Sequence, residues 1–279
     1  MSRPLRSVLF LPASNARAVD KARGLDCDAV VLDLEDAVGP DDKAAAREAM
    51  VETVRAGGFR PPVLVVRVNG LDTEWGEDDL HAVREAGAAE VLLPKVSGPE
   101  ALKAARERIG SAPRLWANIE TCAGVLALAE ISRASAELGV VAYVFGQNDL
   151  SRDMGFRPAR DRRPLHAAMS LTVTAARAAG VAAVDGVFND FSDLEAFEAE
   201  CREGRAFGFD GKAIIHPAQI EGAHRACAPS ERDLQWARAV VEAFAAPENA
   251  GKGAVRVDGG MAERLHLEQA QRMLGLTSR

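Results

Sequence analysis

Residues Arg114 to Asp149 read RLWANIETCAGVLALAEISRASAELGVVAYVFGQND, two apolar runs that each close on a carboxylate. The first run ends at Glu120 and the second at Asp149, with about one helix's worth of residues between them. Continuous apolar runs of this kind fit parallel strands buried on both faces. Parallel strands place their carboxyl ends side by side, so the two acids are expected to meet at one edge. Two carboxylates there suit a hard cation such as Mg²⁺, which takes oxygen ligands and leaves positions to water and substrate. Each acid also begins a turn into a helical segment, so a helix-capping role is the alternative for either one alone.

The same strand-then-helix unit repeats on both sides of this stretch. Upstream come the strands SVLFLP (Ser7 to Pro12), AVVLDLED (Ala29 to Asp36), VLVVRVN (Val63 to Asn69) and EVLLPK (Glu90 to Lys95). Helices are expected after Ser14 or Asn15, over Asp41 to Ala56, over Trp75 to Ala86 and over Pro99 to Ile109. Downstream, VAAVDGVF (Val181 to Phe188), a helix over Ser192 to Ala206 and FDGKAIIHP (Phe209 to Pro217) bring the count to eight units. The strand ends Pro12, Glu35, Arg67, Lys95, Glu120, Asp149, Asp185 and His216 are 23, 32, 28, 25, 29, 36 and 31 residues apart. That interval predicts a TIM (β/α)₈ barrel over residues 1–227, since such barrels use roughly 250 residues for eight units. An open doubly wound sheet fits less well: it has fewer units, and no GxGxxG follows the first strand.

Residues 228–279 lie outside the barrel count. They predict a helical extension, with helices from Ser230 to Ala245 and from about Ala262 to Leu274. Between them, the Gly-rich AGKGAVRVDGGM reads as a bendable segment, fit for a lid over a barrel mouth or an arm in an oligomer contact.

Composition bounds the function. The 279 residues are 48% hydrophobic and 27% charged, with a net charge of −7 and no basic run, which argues against a nucleic-acid or anionic-membrane surface. No apolar run reaches membrane-spanning length and no signal peptide is recognisable, so the expectation is a cytoplasmic protein. Cys27, Cys122, Cys201 and Cys227 lack ligand spacing and read as free thiols.

Glu35 and Asp36, Arg67 and Asn69, Lys95, Glu120, Asp149 and His216 are all expected at one mouth. A metal and a guanidinium together can carry the charge of an enolate formed when a C–C bond breaks beside a carbonyl. Lys95 raises the alternative of an imine-forming lysine, but an acid-rich mouth would hold it protonated. His216, before a proline, reads as a structural hydrogen-bonding residue, and His81, His166, His224 and His266 show no ligand spacing.

RSVLFLP, VVLDLEDAVGPDDKAAAR, VRVNGLDTEW, VLLPKV, IET, FGQNDL and GFDGKAIIHPAQI, taken in order from Arg6, resemble the citrate lyase β-subunit-like proteins of the HpcH/HpaI aldolase superfamily. That group includes malyl-CoA and citramalyl-CoA lyases. The resemblance implies Mg²⁺ on Glu120 and Asp149, with Arg67 on a substrate carboxylate or carbonyl oxygen. It further implies that Glu35 and Asp36 order water at the metal, that a CoA ester crosses the mouth, and that the tail of a neighbouring subunit closes over it in a homo-oligomer, trimer or hexamer. Arg17 and Lys21, four apart on the first helix, become candidates for the CoA phosphates. Two departures stand out: GGMAE places Glu263 where family lyases carry an Asp acid/base, and Gln147-Asn148 precedes Asp149 where relatives often have a small residue and an acid.

The leading expectation is therefore an Mg²⁺-dependent lyase that splits, or condenses, a hydroxy-carboxyacyl-CoA such as malyl-CoA or citramalyl-CoA, with a 2-oxo acid and an acyl-CoA as the two parts. The alternatives are a class II pyruvate aldolase on a CoA-free hydroxy-oxo acid, a thioesterase in which Glu263 or the Glu35-Asp36 pair activates water, and a non-catalytic subunit working only with partner chains.

Overall fold

The computed structural model describes residues 4–157 and 160–275. The chain divides into two compact units, Met1–Cys227 and Ala228–Arg279.

The first unit is a closed barrel of eight parallel strands in sequential order. These are β1 (Ser7–Pro12), β2 (Ala29–Asp33), β3 (Val63–Arg67), β4 (Glu90–Leu93), β5 (Arg114–Ile119), β6 (Val140–Phe145), β7 (Ala182–Asp185) and β8 (Gly211–Ile214). The accompanying helices are α1 (Ala16–Ala22), α2 (Lys43–Ala56), α3 (Gly76–Ala86), α4 (Pro99–Ile109), α5 (Cys122–Leu126), α6 (Leu128–Ser135), α7 (Gln147–Asp153), α8 (His166–Ala179), α9 (Leu194–Phe207) and α10 (Gln219–Cys227). β1 pairs with β8 through Ser7 opposite Lys212, which closes the ring. The seam is tight: a methyl on Gly211 would overlap the Leu5 carbonyl.

Both strand faces are apolar because both are buried. Val8, Ala29, Val31, Val65, Leu92, Trp116, Val144 and Ala213 fill the barrel interior. The alternate residues Leu9, Val30, Leu32, Val66, Val91 and Tyr143 pack outward under the helices. Helix ends follow local chemistry: α3 has Glu77, Asp78 and Asp79 in its first turn and stops at Gly87 with φ 72°.

The strands stop earlier than the sequence suggests. β2 ends at Asp33 rather than Asp36, and β3 at Arg67 rather than Asn69. β7 spans only Ala182–Asp185.

The second unit holds α11 (Glu231–Ala245), a hairpin of β9 (Ala254–Val257) and β10 (Gly260–Glu263), and α12 (Arg264–Gly275). The segment read as bendable is therefore an antiparallel ribbon, with Gly260 opposite Val257. Asp258 (φ 48°) and Gly259 (φ 83°) form its two-residue turn, the positive-φ pair that suits the twist of a hairpin. Ala237, Val240, Val255, Ala262 and Ala270 give this unit its own small core. Among the described residues no helix is long and apolar enough to cross a membrane, and all four cysteines are free.

Candidate active site

The period of two along each strand decides what enters the mouth. Ala29 and Val31 face the interior, so Asp33 does as well; Val63 and Val65 carry Arg67 inward, and Trp116 is followed on its face by Asn118 and Glu120. These side chains line a cavity of about 350 Å³ together with Phe10, Asp36, Asn148 and Asp149. A wider groove of about 490 Å³ between α2 and α3 is an open, mixed-charge surface in which Arg47 already pairs with Asp78 and Asp79, and it gathers no comparable chemistry.

Arg67 is locked before any ligand arrives. Its Nε and Nη2 donate to the two oxygens of Asp33 at 2.7 and 2.6 Å. Nη1 lies 2.9 Å from Glu35 Oε2 and 3.6 Å from Asp36 Oδ2, and the guanidinium sits 5.4 Å from the Phe10 ring centroid. Burial works against its charge, but the Asp33 carboxylate, joined by those of Glu35 and Glu120, outweighs that and holds Arg67 firmly protonated. The forked face expected for a substrate carboxylate is thus taken by Asp33, and a ligand would have to share the Nη1 edge with Glu35 and Asp36. Asp33 is not among the residues expected at the mouth, because the apolar run reads on to Glu35 and Asp36 as the strand end whereas β2 stops at Asp33.

Glu120 is buried, 1% exposed. Its Oε1 accepts the Lys95 backbone N–H at 2.8 Å and Oε2 accepts Asn118 Nδ2. Burial, then the nearby charges of Glu35 and Asp149, push its carboxyl up to about 7. A methyl on Gly146 would overlap the Glu120 side chain, so a glycine there makes room for it. Asp149, in the first turn of α7, accepts from Arg152 Nη2 at Oδ1, 2.6 Å away. Neither acid is a helix cap: Thr121 caps α5 with its side chain, and α7 begins at Gly146 with no side-chain cap.

Glu35 is buried between Arg67 and Lys95, and burial raises its carboxyl against the pull of both cations. Lys95 Nζ donates to Glu35 Oε1, an ion pair that keeps the amine charged and leaves no free lysine for an imine. Asp36 is half-exposed at the rim.

Several expected residues turn elsewhere. Asn69 is buried against Lys43, Asp79 and the Leu34 carbonyl, where it anchors the β3 end. Asp185 points to the outer side of β7, bonded to Arg162 and Lys212. His216 accepts the Ala218 N–H and stacks on Phe191, a structural turn residue. Arg17 and Lys21 are exposed on α1, whereas Phe10, Leu11 and Pro12 of β1 reach the cavity. Glu263 is half-buried at the end of β10 in the second unit, its N–H donating to His266 Nδ1.

Among the described residues no set of three or more His, Cys, Asp or Glu is arranged to hold a metal ion. A cation here would take Glu120 and Asp149 and complete its shell from water and ligand, which is the habit of magnesium. The donor set fits: Asn118 Oδ1 is buried without a hydrogen-bond partner, Glu35 Oε2 meets the Arg67 charge without a hydrogen bond, and the neighbouring acids crowd like charge around Glu120.

Comparison with known proteins adds four findings. The family model described as HpcH/HpaI aldolase/citrate lyase matches residues 6–217. The chain is 44% identical over 271 residues to a (3S)-malyl-CoA thioesterase of Cereibacter sphaeroides (strain KD131 / KCTC 12085), covering 97% of this chain and 94% of that one. It is 34% identical to the citrate lyase subunit beta of Escherichia coli (strain K12), over 98% and 93% of the two chains. Its fold matches the crystal structure of CitE from Mycobacterium tuberculosis in complex with magnesium, acetoacetate and coenzyme A, with TM-score 0.84, 32% identity and coverage of 99% and 98%.

Proposed function

The chain belongs to the HpcH/HpaI aldolase/citrate lyase family, and from that premise we propose a magnesium-dependent enzyme that hydrolyses the thioester of a malyl-CoA-type substrate. The observation that carries the reading is the Asp33-locked Arg67 beside the Glu120 and Asp149 carboxylates at the floor of one cavity. Support for the substrate class comes from the relatives named (3S)-malyl-CoA thioesterase and from the CitE complex with coenzyme A.

Glu120 and Asp149 would hold the cation, which supplies Lewis-acid polarisation of the substrate's oxygens. The Nη1 edge of Arg67 binds a carboxylate oxygen of the acid part. Glu35, fixed between Arg67 and Lys95, takes a proton from water with Asp36 at the rim, and Glu263 serves in proton transfer. Arg17 and Lys21 meet the CoA phosphates. Water adds to the thioester carbonyl, the C–S bond breaks, and malate and free CoA leave. We read the protein as a cytoplasmic homo-oligomer.

Carbon–carbon cleavage is the second reading, favoured by the citrate lyase relatives and by the cation-plus-guanidinium floor suited to an enolate. One assay separates the two. Purified protein with malyl-CoA and Mg²⁺ should release a free thiol and no 2-oxo acid; glyoxylate with acetyl-CoA and no thiol would establish cleavage. Release of neither overturns both.

A further inference from the structure

Lys95 and Asp258 are the two non-glycine residues with positive φ among those described, and Asp258 belongs to a hairpin turn that calls for it. Lys95 (φ 47°) lies outside any hairpin, in the bend that follows β4. A side chain crowds the backbone in this left-handed region, and such strain persists where surrounding contacts over-determine it. At Lys95 the contacts are two carboxylates of the mouth. The backbone N–H, aimed inward by the left-handed turn after β4, donates to Glu120 Oε1 at 2.8 Å. The side chain returns along the rim and its ammonium donates to Glu35 Oε1, with Asp36 Oδ1 3.9 Å away. A glycine would make the turn without strain, so a lysine here points to a use for its ammonium as well as for its backbone.

We propose that Lys95 is a positioning residue that sets Glu120 and Glu35 together, the first through its backbone N–H and the second through its ammonium. The inference rests on the metal-site reading above. With Oε1 on Lys95 and Oε2 on Asn118, Glu120 has its carboxylate plane fixed. With Oε1 on Lys95, Glu35 has its other oxygen directed toward Arg67. The ion pair to Glu35 is also what keeps the strained turn in place, so the two arms are coupled.

Two variants of the full chain part the arms. Lys95→Gly keeps the left-handed turn and loses the ammonium. Lys95→Ala loses the ammonium and keeps the steric cost, so the turn relaxes and the N–H leaves Glu120. Groups that orient ligands and catalytic carboxylates are worth roughly 10–100-fold in affinity or activity. Turnover should therefore fall by about that much in both variants. Mn²⁺ affinity, read by electron paramagnetic resonance as a magnesium surrogate, should stay within about twofold of the parent in Lys95→Gly and drop roughly tenfold or more in Lys95→Ala. Lys95→Gly should also melt above Lys95→Ala, the reverse of the ordinary glycine effect. Full turnover in either variant, or equal cation affinity in the two, overturns the proposal. A parent protein that takes up no cation overturns the metal reading and this one with it.

Discussion

Thr121 does the capping that Glu120 could have done, and this leaves the Glu120 carboxylate free for other chemistry. Replacing Glu120 by Gln should abolish Mg²⁺-dependent turnover without lowering the melting temperature, because it removes a buried charge set among Glu35 and Asp149. A cap would behave in the opposite way, losing up to ~2 kcal/mol of stability with activity retained in the folded fraction. The raised carboxyl also fixes a sign. Below about pH 4.5 Glu120 is protonated in both folded and unfolded chains; as pH climbs toward about 7 the unfolded chain ionises first, so metal-free stability declines over that window. Cation binding requires the ionised form, so the Mg²⁺-induced rise in melting temperature should grow from about pH 5.5 to about pH 8. A flat response across that range would remove Glu120 from the metal. Arg67→Lys should be nearly as damaging to turnover, since a lysine cannot span both oxygens of Asp33. Asp33 was legible in principle: it shares strand parity with Ala29 and Val31, and a period-two reading of VVLDLED would have turned it inward.

At the scale of elements, the sequence exposed strand order and helix positions because buried parallel strands leave uninterrupted apolar runs and helices leave capped, periodic ones. Strand ends were less legible, since a polar residue just past a strand looks like its last residue until hydrogen-bond partners are known. Asn69 is such a case. The β9–β10 hairpin was missed although Asp-Gly after the β-branched run Ala254–Val257 is a turn signal, because four glycines in ten residues suggested slack instead. Also hidden was the ionic cluster of Arg162, Asp185, Glu200 and Lys212, which no local pattern announces. It ties α9 to β7 and β8 with almost fully buried charges. Lys212→Ala leaves Glu200 short of a cation and should cost about 3–5 kcal/mol in chemical denaturation. A loss under about 1 kcal/mol would mean the cluster is solvated.

For the whole molecule, eight near-regular units were enough to deduce a closed barrel, whereas the mouth's internal pairing required coordinates. The cores of the first unit and every cavity-lining residue lie before residue 228. A chain ending at Cys227 should therefore keep a folded barrel and its Mg²⁺-induced stabilisation, while losing any turnover that depends on Glu263. An unfolded truncation would show that the second unit is needed for the barrel to stand. The seam where Ser7 meets Lys212 joins residues roughly 200 positions apart. Closing a loop of that length costs ~5 kcal/mol of chain entropy, little more than half that length would. The delay is kinetic instead: at ~5–20 residues per second, the free edge of β1 waits about 10–40 s on the ribosome for its partner to be made. During that interval β1 can pair with β2 on one side only, and its other edge stays open to any other unpaired strand nearby. The ring that leaves the finished barrel without edges thus makes its first strand the most exposed during synthesis.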